Sequence, residues 1–205
     1  MKKSDPFLEG IEYLKNKNQK ISDIIECIGI IDFKKRDLNF ESLIKIIIGQ
    51  QLSGRVATII FERLKELNTK TGLLKPDFIL NLSDGSLRGI GISSPKIKYI
   101  RNLSELHIEH PNIIQKWLEL DDKDAYVEIQ KLRGFGPWSA SIILLFYFGR
   151  LDIFPIGDVT LKKTYFSIFG NDIDTECREL EWARPYRSIL AIYLWKYFDS
   201  KLKSN

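Results

Sequence analysis

An all-α fold follows from three features of this sequence. Apolar residues recur at three- and four-residue spacing along most of it. Prolines and glycines fall where helices start and stop. Segments rich in β-branched residues, such as Ile44–Ile48, lack the alternation and flanking turn residues that a strand needs.

The elements can be taken in order. Phe40–Ile48 reads as a short helix, and Gly49-Gln50-Gln51-Leu52 as a tight turn after it. Leu52, Val56, Ile59, Ile60, Leu64 and Leu67 have the spacing of one apolar helix face, with Ser53 placed to cap its N-terminus. Helices are expected at 76–82, 84–89, 94–108, 111–118 and 122–132, with Pro76, Pro95 and Pro111 in their first turns. Ser139–Phe148 is apolar almost all round and predicts a buried central helix. Asp158–Phe169 is amphipathic and stops at Gly170, and a last helix runs from Pro185 to Phe198. No repeat, low-complexity tract or long linker interrupts the series.

Composition narrows the function classes only modestly. The 205 residues suffice for one domain or two small lobes. With 44% hydrophobic and 28% charged residues, the chain is an ordinary folded protein. A net charge of +4 permits nucleic-acid binding without requiring it. Cys27 and Cys177 are far apart and form no Cys-x-x-Cys pair, which excludes a zinc ribbon or a four-cysteine cluster; they are expected as buried free thiols. His107 and His110 have no further Cys or His nearby, so they are expected at the surface rather than on a metal. The charged start, Met1 to Pro6, leads into no apolar stretch of the signal-peptide kind. The longest apolar run, Ile142–Phe148, is too short to span a membrane. A soluble protein is expected, in the cytoplasm with the nucleoid of a prokaryote or in the nucleus of a eukaryote.

The richest segment is Lys131-Leu132-Arg133-Gly134-Phe135-Gly136-Pro137-Trp138-Ser139-Ala140. Its Gly-x-Gly turn joins two helices and leaves backbone N–H groups open to a phosphate at the start of the second, where the helix dipole favours an anion. Gly136 and the N–H groups just after Pro137 are the natural donors. The turn alone fits a plain helix connection equally well.

The residues downstream of the turn add to its meaning. Residues 132–140, the apolar helix and then Phe154-Pro155-Ile156-Gly157-Asp158 resemble the helix-hairpin-helix DNA glycosylase superfamily, HhH-GPD, with its Gly/Pro-rich loop and aspartate. Three other stretches agree: Ile48-Gly49-Gln50-Gln51-Leu52-Ser53; Leu87-Arg88-Gly89-Ile90-Gly91-Ile92-Ser93 with Lys96; and Arg184-Pro185-Tyr186-Arg187-Ser188 leading to Trp195. The chain is most similar to the 3-methyladenine DNA glycosylase II group, over about residues 36–200.

The resemblance implies roles. Asp158, which by position alone is a helix N-cap, becomes the catalytic carboxylate, and one residue can do both. Breaking a bond between base and sugar develops positive charge on the deoxyribose, which a fixed carboxylate stabilises while it orients or deprotonates water. Trp138 stands where the lyase relatives of the superfamily carry a nucleophilic lysine, and Lys131 lies on the far side of the turn. A monofunctional hydrolase without metal or cofactor is implied. Trp138 and Trp195 match base-pocket aromatics, suited to cationic alkylpurines; as plain tryptophans they also read as core. Trp117 and Trp182 have no match and are assigned to packing, and the aliphatic Ile142 stands where relatives can carry a pocket aromatic. Gln51 first, and Leu52 second, match the wedge that fills the hole left by a flipped base. Gly89, Gly91, Ser93 and Lys96, and Gly134, Gly136 and Ser139, match the two backbone-binding turns; Lys96 also reads as a solvated charge.

The implied architecture is two helical lobes with a cleft between them holding Asp158, Trp138 and Trp195. Residues 36–150 form the central lobe, with the helix-hairpin-helix at 122–148; 1–35 and 151–205 form the other. With about 35 residues ahead of the shared region, the α/β domain that the longest relatives carry there is not expected. The expected partner is duplex DNA with a damaged base, bound by a monomer. Two other readings stay open: a glycosylase for uracil, hypoxanthine or an oxidised purine, and a non-catalytic DNA-binding hairpin module. A helical interaction scaffold would explain the periodicity but not the four motifs.

Overall fold

The computed structural model describes residues 5–68 and 72–204, side chains of 203 and 204 excepted; Met1–Ser4, part of the charged start, lies outside them. Twelve α-helices occur in order among these residues: α1 (Pro6–Lys17), α2 (Gln19–Ile28), α3 (Phe40–Gly49), α4 (Gly54–Glu66), α5 (Pro76–Asn81), α6 (Asp84–Gly89), α7 (Ser94–Glu109), α8 (Ile113–Glu119), α9 (Asp122–Gln130), α10 (Pro137–Ile142), α11 (Val159–Phe169) and α12 (Arg187–Ser204). No strand occurs among them, as the sequence predicts. The chain divides into two compact units: residues 37–140, and residues up to 36 together with those from 141 on.

The 37–140 unit packs α3 to α9 around a core of aliphatic side chains. Leu43, Ile44, Ile47, Leu64, Ile79, Leu87 and Ile100 are fully buried there, each burial contributing about 1.5–3 kcal/mol. Caps set the helix starts: Asn39 accepts from Ser42 N, Ser53 from Val56 N and Asp121 from Asp124 N. The inward face of α4 is Ala57, Ile60, Phe61 and Leu64. Val56 and Ile59 lie on a different face, 41% and 44% exposed, and Leu52, 39% exposed, stands in the turn ahead of α4, which corrects the single stripe expected from their spacing. The turn at Pro111-Asn112 precedes α8, so Pro111 stands before the helix and not in its first turn. Trp117 is buried core. His107 is half-buried with its ring 5.2 Å from that of Phe40, not at the surface as expected; His110 is exposed.

The other unit has its own core. Phe7, Ile11 and Leu14 of α1, Ile21, Ile24 and Ile25 of α2, Leu161 and Tyr165 of α11, and Ile189 to Leu194 of α12 close on one another. Asp5 caps α1, whose first residue is Pro6, and Asn18 caps α2. Gly10 is required by close packing, because a Cβ there would sit 2.2 Å from Ile189 Cδ1 and 2.6 Å from the Tyr186 ring. The helix expected over Ser139–Phe148 is not uniform: after α10 it widens into a π-helix over Ile143–Tyr147, with Phe148 N donating to Ile143 O at 3.0 Å. Such widenings are rare and cluster at functional sites. A 3-10 turn spans Arg178–Ala183, and α12 runs to Ser204, six residues past the expected end at Phe198. Cys177 is buried and Cys27 exposed, which corrects the expectation of two buried thiols; both are free. Trp182 packs on this core with its ring 6.4 Å from that of Phe169. No helix among the described residues is long and apolar enough to cross a membrane.

Candidate functional site

Asp158 is the N-cap of α11. Its Oδ1 accepts Leu161 N at 2.9 Å and the Trp195 indole Nε1–H at 3.3 Å. A short polar residue at a cap is held by orphan N–H groups at the helix start, where the helix field also favours an anion. The carboxylate is half-buried, and the cap expected from its position is present.

The loop that delivers Asp158 is pinned from α12. Arg187, with its side chain 12% exposed, makes a bidentate pair with Asp152, Nε to Oδ1 at 2.7 Å and Nη2 to Oδ2 at 2.9 Å, and reaches Asp152 O at 3.1 Å. Ser188 Oγ donates toward Arg150 O and Ile153 O and accepts Ile153 N. Bidentate guanidinium–carboxylate pairs fix geometry as well as adding energy. The Arg184–Ser188 motif thus acts on the site by holding residues 150–153, a function its residue types suggest only once the fold is known. Asp158 N then closes the final turn on Pro155 O at 2.8 Å.

Trp195 is itself held by stacking. Its ring lies 5.6 Å from that of Phe146 at an interplanar angle of 28°. The Arg36 guanidinium sits 4.8 Å over the Phe146 ring, and Arg36 N donates to Phe146 O at 2.8 Å. Phe146 belongs to the π-helix, and neither it nor Arg36 was marked by the sequence, since an aromatic inside an apolar run carries no positional signal. Arg36, Phe146, Trp195 and Asp158 form a continuous layered cluster in the one unit. Trp138 belongs to the 37–140 unit, as the second residue of α10, and is half-buried.

The other predicted residues gather within the 37–140 unit. Gln50 (φ −56°, ψ 127°) and Gln51 (φ +59°) turn the chain between α3 and α4, closed by Leu52 N on Gly49 O at 3.2 Å. Gln51 and Leu52 are exposed. A left-handed glutamine is uncommon, and such outliers cluster at functional positions. Gln50, not singled out by the sequence, reaches the hairpin: its Nε2 donates to Gly134 O at 2.6 Å and Ser139 Oγ at 3.0 Å. Ser139 is buried, and its hydroxyl accepts the Gln50 amide inside the fold.

Lys96 is half-buried rather than a fully solvated charge. Two of its three N–H groups go to Ile48 O at 2.8 Å and Gln50 O at 2.7 Å, and burial holds its ammonium below the usual lysine range. Gly89 ends α6, Gly91 takes φ +104° and Ser93 is the N-cap of α7; all three are exposed. The hairpin glycines differ. Gly134 (φ +95°) is packed under the Tyr99 ring, whereas Gly136 is exposed with nothing within 4 Å of a Cβ built on it.

The Bacillus subtilis protein YfjP is 29% identical over 171 residues, covering 78% of this chain; the chain spans 59% of YfjP's length. DNA-3-methyladenine glycosylase 1 of Schizosaccharomyces pombe is 26% identical over 162 residues, covering 77% of this chain and 71% of that protein. The solved structure of the S. pombe 3-methyladenine DNA glycosylase in complex with abasic DNA matches with a TM-score of 0.82 at 22% identity, over 92% of this chain and 95% of that one. Residues 44–183, from α3 to the 3-10 turn before α12, match the superfamily profile itself. The chain belongs to the HhH-GPD superfamily of base excision DNA repair proteins.

Proposed function

We propose that this protein is a monofunctional DNA glycosylase that flips alkylated purines, of the 3-methyladenine and 7-methylguanine type, out of duplex DNA and hydrolyses their bond to deoxyribose. The observation that carries the reading is Asp158: a half-buried carboxylate held by a helix N-terminus and the Trp195 indole, in a family of base excision proteins. The residues support the chemistry step by step. As the bond from C1′ to the base nitrogen stretches, its electron pair leaves with the base, and a cationic alkylpurine departs neutral. The sugar becomes an oxocarbenium-like cation, and the Asp158 carboxylate stabilises it at fixed distance without reorganisation. Water adds at C1′, and its proton passes to Asp158 or to solvent, leaving an abasic site. No step calls on a metal or cofactor.

The base lost from the stack is replaced by Gln51 or Leu52 at the tip of the α3–α4 turn, while the Gly136 turn and the 89–96 turn hold the backbone. Electron-rich tryptophans, Trp195 and Trp138, favour a cationic purine by about 0.5–2 kcal/mol per ring. Trp138 in place of a lysine amine leaves no nucleophile for a Schiff base at that position. One chain carries every group named, so a monomer suffices, and it acts wherever DNA lies, nucleoid or nucleus. Base release from duplexes carrying 7-methylguanine, 3-methyladenine, hypoxanthine, uracil or 8-oxoguanine, with borohydride present in parallel, tests the reading. Release of the methylpurines with no trapped protein–DNA adduct is expected. Preferential release of uracil or 8-oxoguanine, or a trapped adduct, would overturn it.

A further inference from the structure

We infer that the α3–α4 turn and the hairpin work as one rigid wedge, and that Gln50 is the positioning residue joining them. This rests on the base-flipping reading above. A side chain that enters a base stack must resist re-stacking, worth a few kcal/mol per step. The tip at Gln51 and Leu52 has a left-handed residue in an exposed turn and cannot resist alone. Its support comes from behind. The Gln50 amide directs one N–H to Gly134 O and the other to Ser139 Oγ, which fixes the turn to both limbs of the hairpin. Lys96 fixes the same turn through Ile48 O and Gln50 O. Tyr99, three residues on along α7, packs its ring where a Cβ of Gly134 would lie, 2.4 Å from Cγ. One face of α7 thus braces both the wedge turn and the hairpin, and Gln50 closes the triangle.

The consequence is mechanical. When the hairpin's N–H groups hold a phosphate, the wedge is held at a fixed depth relative to that phosphate, so backbone binding drives unstacking. An amide is required at position 50: a carboxylate there would face the Gly134 carbonyl, and an apolar chain would leave that carbonyl and the buried Ser139 hydroxyl without their donor.

The test uses the full chain with Gln50→Met, which keeps the length, and Gln50→Glu, which keeps the shape. Single-turnover excision is measured on 7-methylguanine paired with cytosine and on 7-methylguanine opposite an abasic analogue, where no pairing holds the base in. Fluorescence of 2-aminopurine beside the lesion reads unstacking without chemistry. Both variants are expected to lose about tenfold on the paired lesion, the equivalent of one to two hydrogen bonds. They are expected to lose less than about twofold on the unpaired one, with a diminished fluorescence rise. Equal losses on the two substrates, or a full fluorescence rise, would overturn the coupling. If the wild type releases no base, the activity reading falls, and the fluorescence arm alone decides: a wild-type rise that the variants share overturns the wedge, and one they lack upholds it.

Discussion

Gly134→Ala and Gly136→Ala separate the packing seen at one end of the Gly-x-Gly turn from the phosphate contact proposed at the other. At 134 the backbone stands at φ +95°, and a Cβ would meet Tyr99 Cγ, Cδ2 and Cβ at 2.4, 2.6 and 2.8 Å. The left-handed conformation costs a side-chain-bearing residue about 1–2 kcal/mol. Forcing a methyl against the ring adds about 1–3 kcal/mol. Trimming Tyr99 does not relieve it fully, because its own Cβ is among the close atoms. Gly134→Ala is therefore expected to lower stability by about 2–5 kcal/mol, a large part of what a domain of this size has. At 136 no atom lies within 4 Å and φ is not positive, so Gly136→Ala is expected to be neutral or slightly stabilising, by less than about 1 kcal/mol. Its methyl would stand in the path of a phosphate, and affinity for duplex DNA is expected to fall about ten- to a hundredfold. Urea unfolding and fluorescence-anisotropy titration of undamaged duplex read the two effects. Equal destabilisation by both changes, or unimpaired DNA affinity in Gly136→Ala, would refute the division.

The contacts set three further outcomes. Arg187→Ala removes the bidentate hold on Asp152 and is expected to cost about 2 kcal/mol in thermal or urea unfolding, with Arg187→Lys restoring only part because a lysine cannot bridge both oxygens. In native protein one thiol, Cys27, is expected to react rapidly with a disulfide reagent at neutral pH. Cys177, whose thiol pKa is raised chiefly by burial, is expected to react only on unfolding; two fast thiols in the native state would contradict this. Burial lowers the His107 pKa below 6.5, so the unfolded chain takes up the proton first. The contribution is full above about pH 6.5 and is lost as pH falls through the folded value. His107→Gln is expected to lessen the drop in Tm between about pH 7 and pH 5; an unchanged or steeper drop would contradict it.

Helix existence was legible because periodicity and punctuation agree over most of the chain. Asp158 and Gly170 mark α11 to the residue, as cap and left-handed stop. What the sequence hid has physical causes. Val56 and Ile59 satisfy helical spacing on an exposed face, and Leu52 falls in the turn before the helix, because spacing identifies a stripe without saying which way it faces or where the helix begins. The π-helix after Ile142 is invisible in a run that is apolar throughout, and with it the placement of Phe146 on Trp195. By type and position Lys96 reads equally as a phosphate contact or a solvated charge; only the fold reveals the two carbonyls that take two of its N–H groups. Gln50 and Gln51 are indistinguishable by type. One turns inward to the hairpin and the other outward, since the turn reverses direction between them.

The central claim is that Asp158 is the group on which excision depends. The most direct measurement is single-turnover release of 7-methylguanine from duplex DNA by wild type and Asp158→Asn, with affinity for the same duplex recorded alongside. Asparagine keeps an oxygen to accept Leu161 N and Trp195 Nε1, while it removes the charge and replaces the second oxygen with an amide donor. The account predicts a fall in release of at least about a hundredfold with binding unchanged. Release by Asp158→Asn at close to the wild-type rate would contradict it.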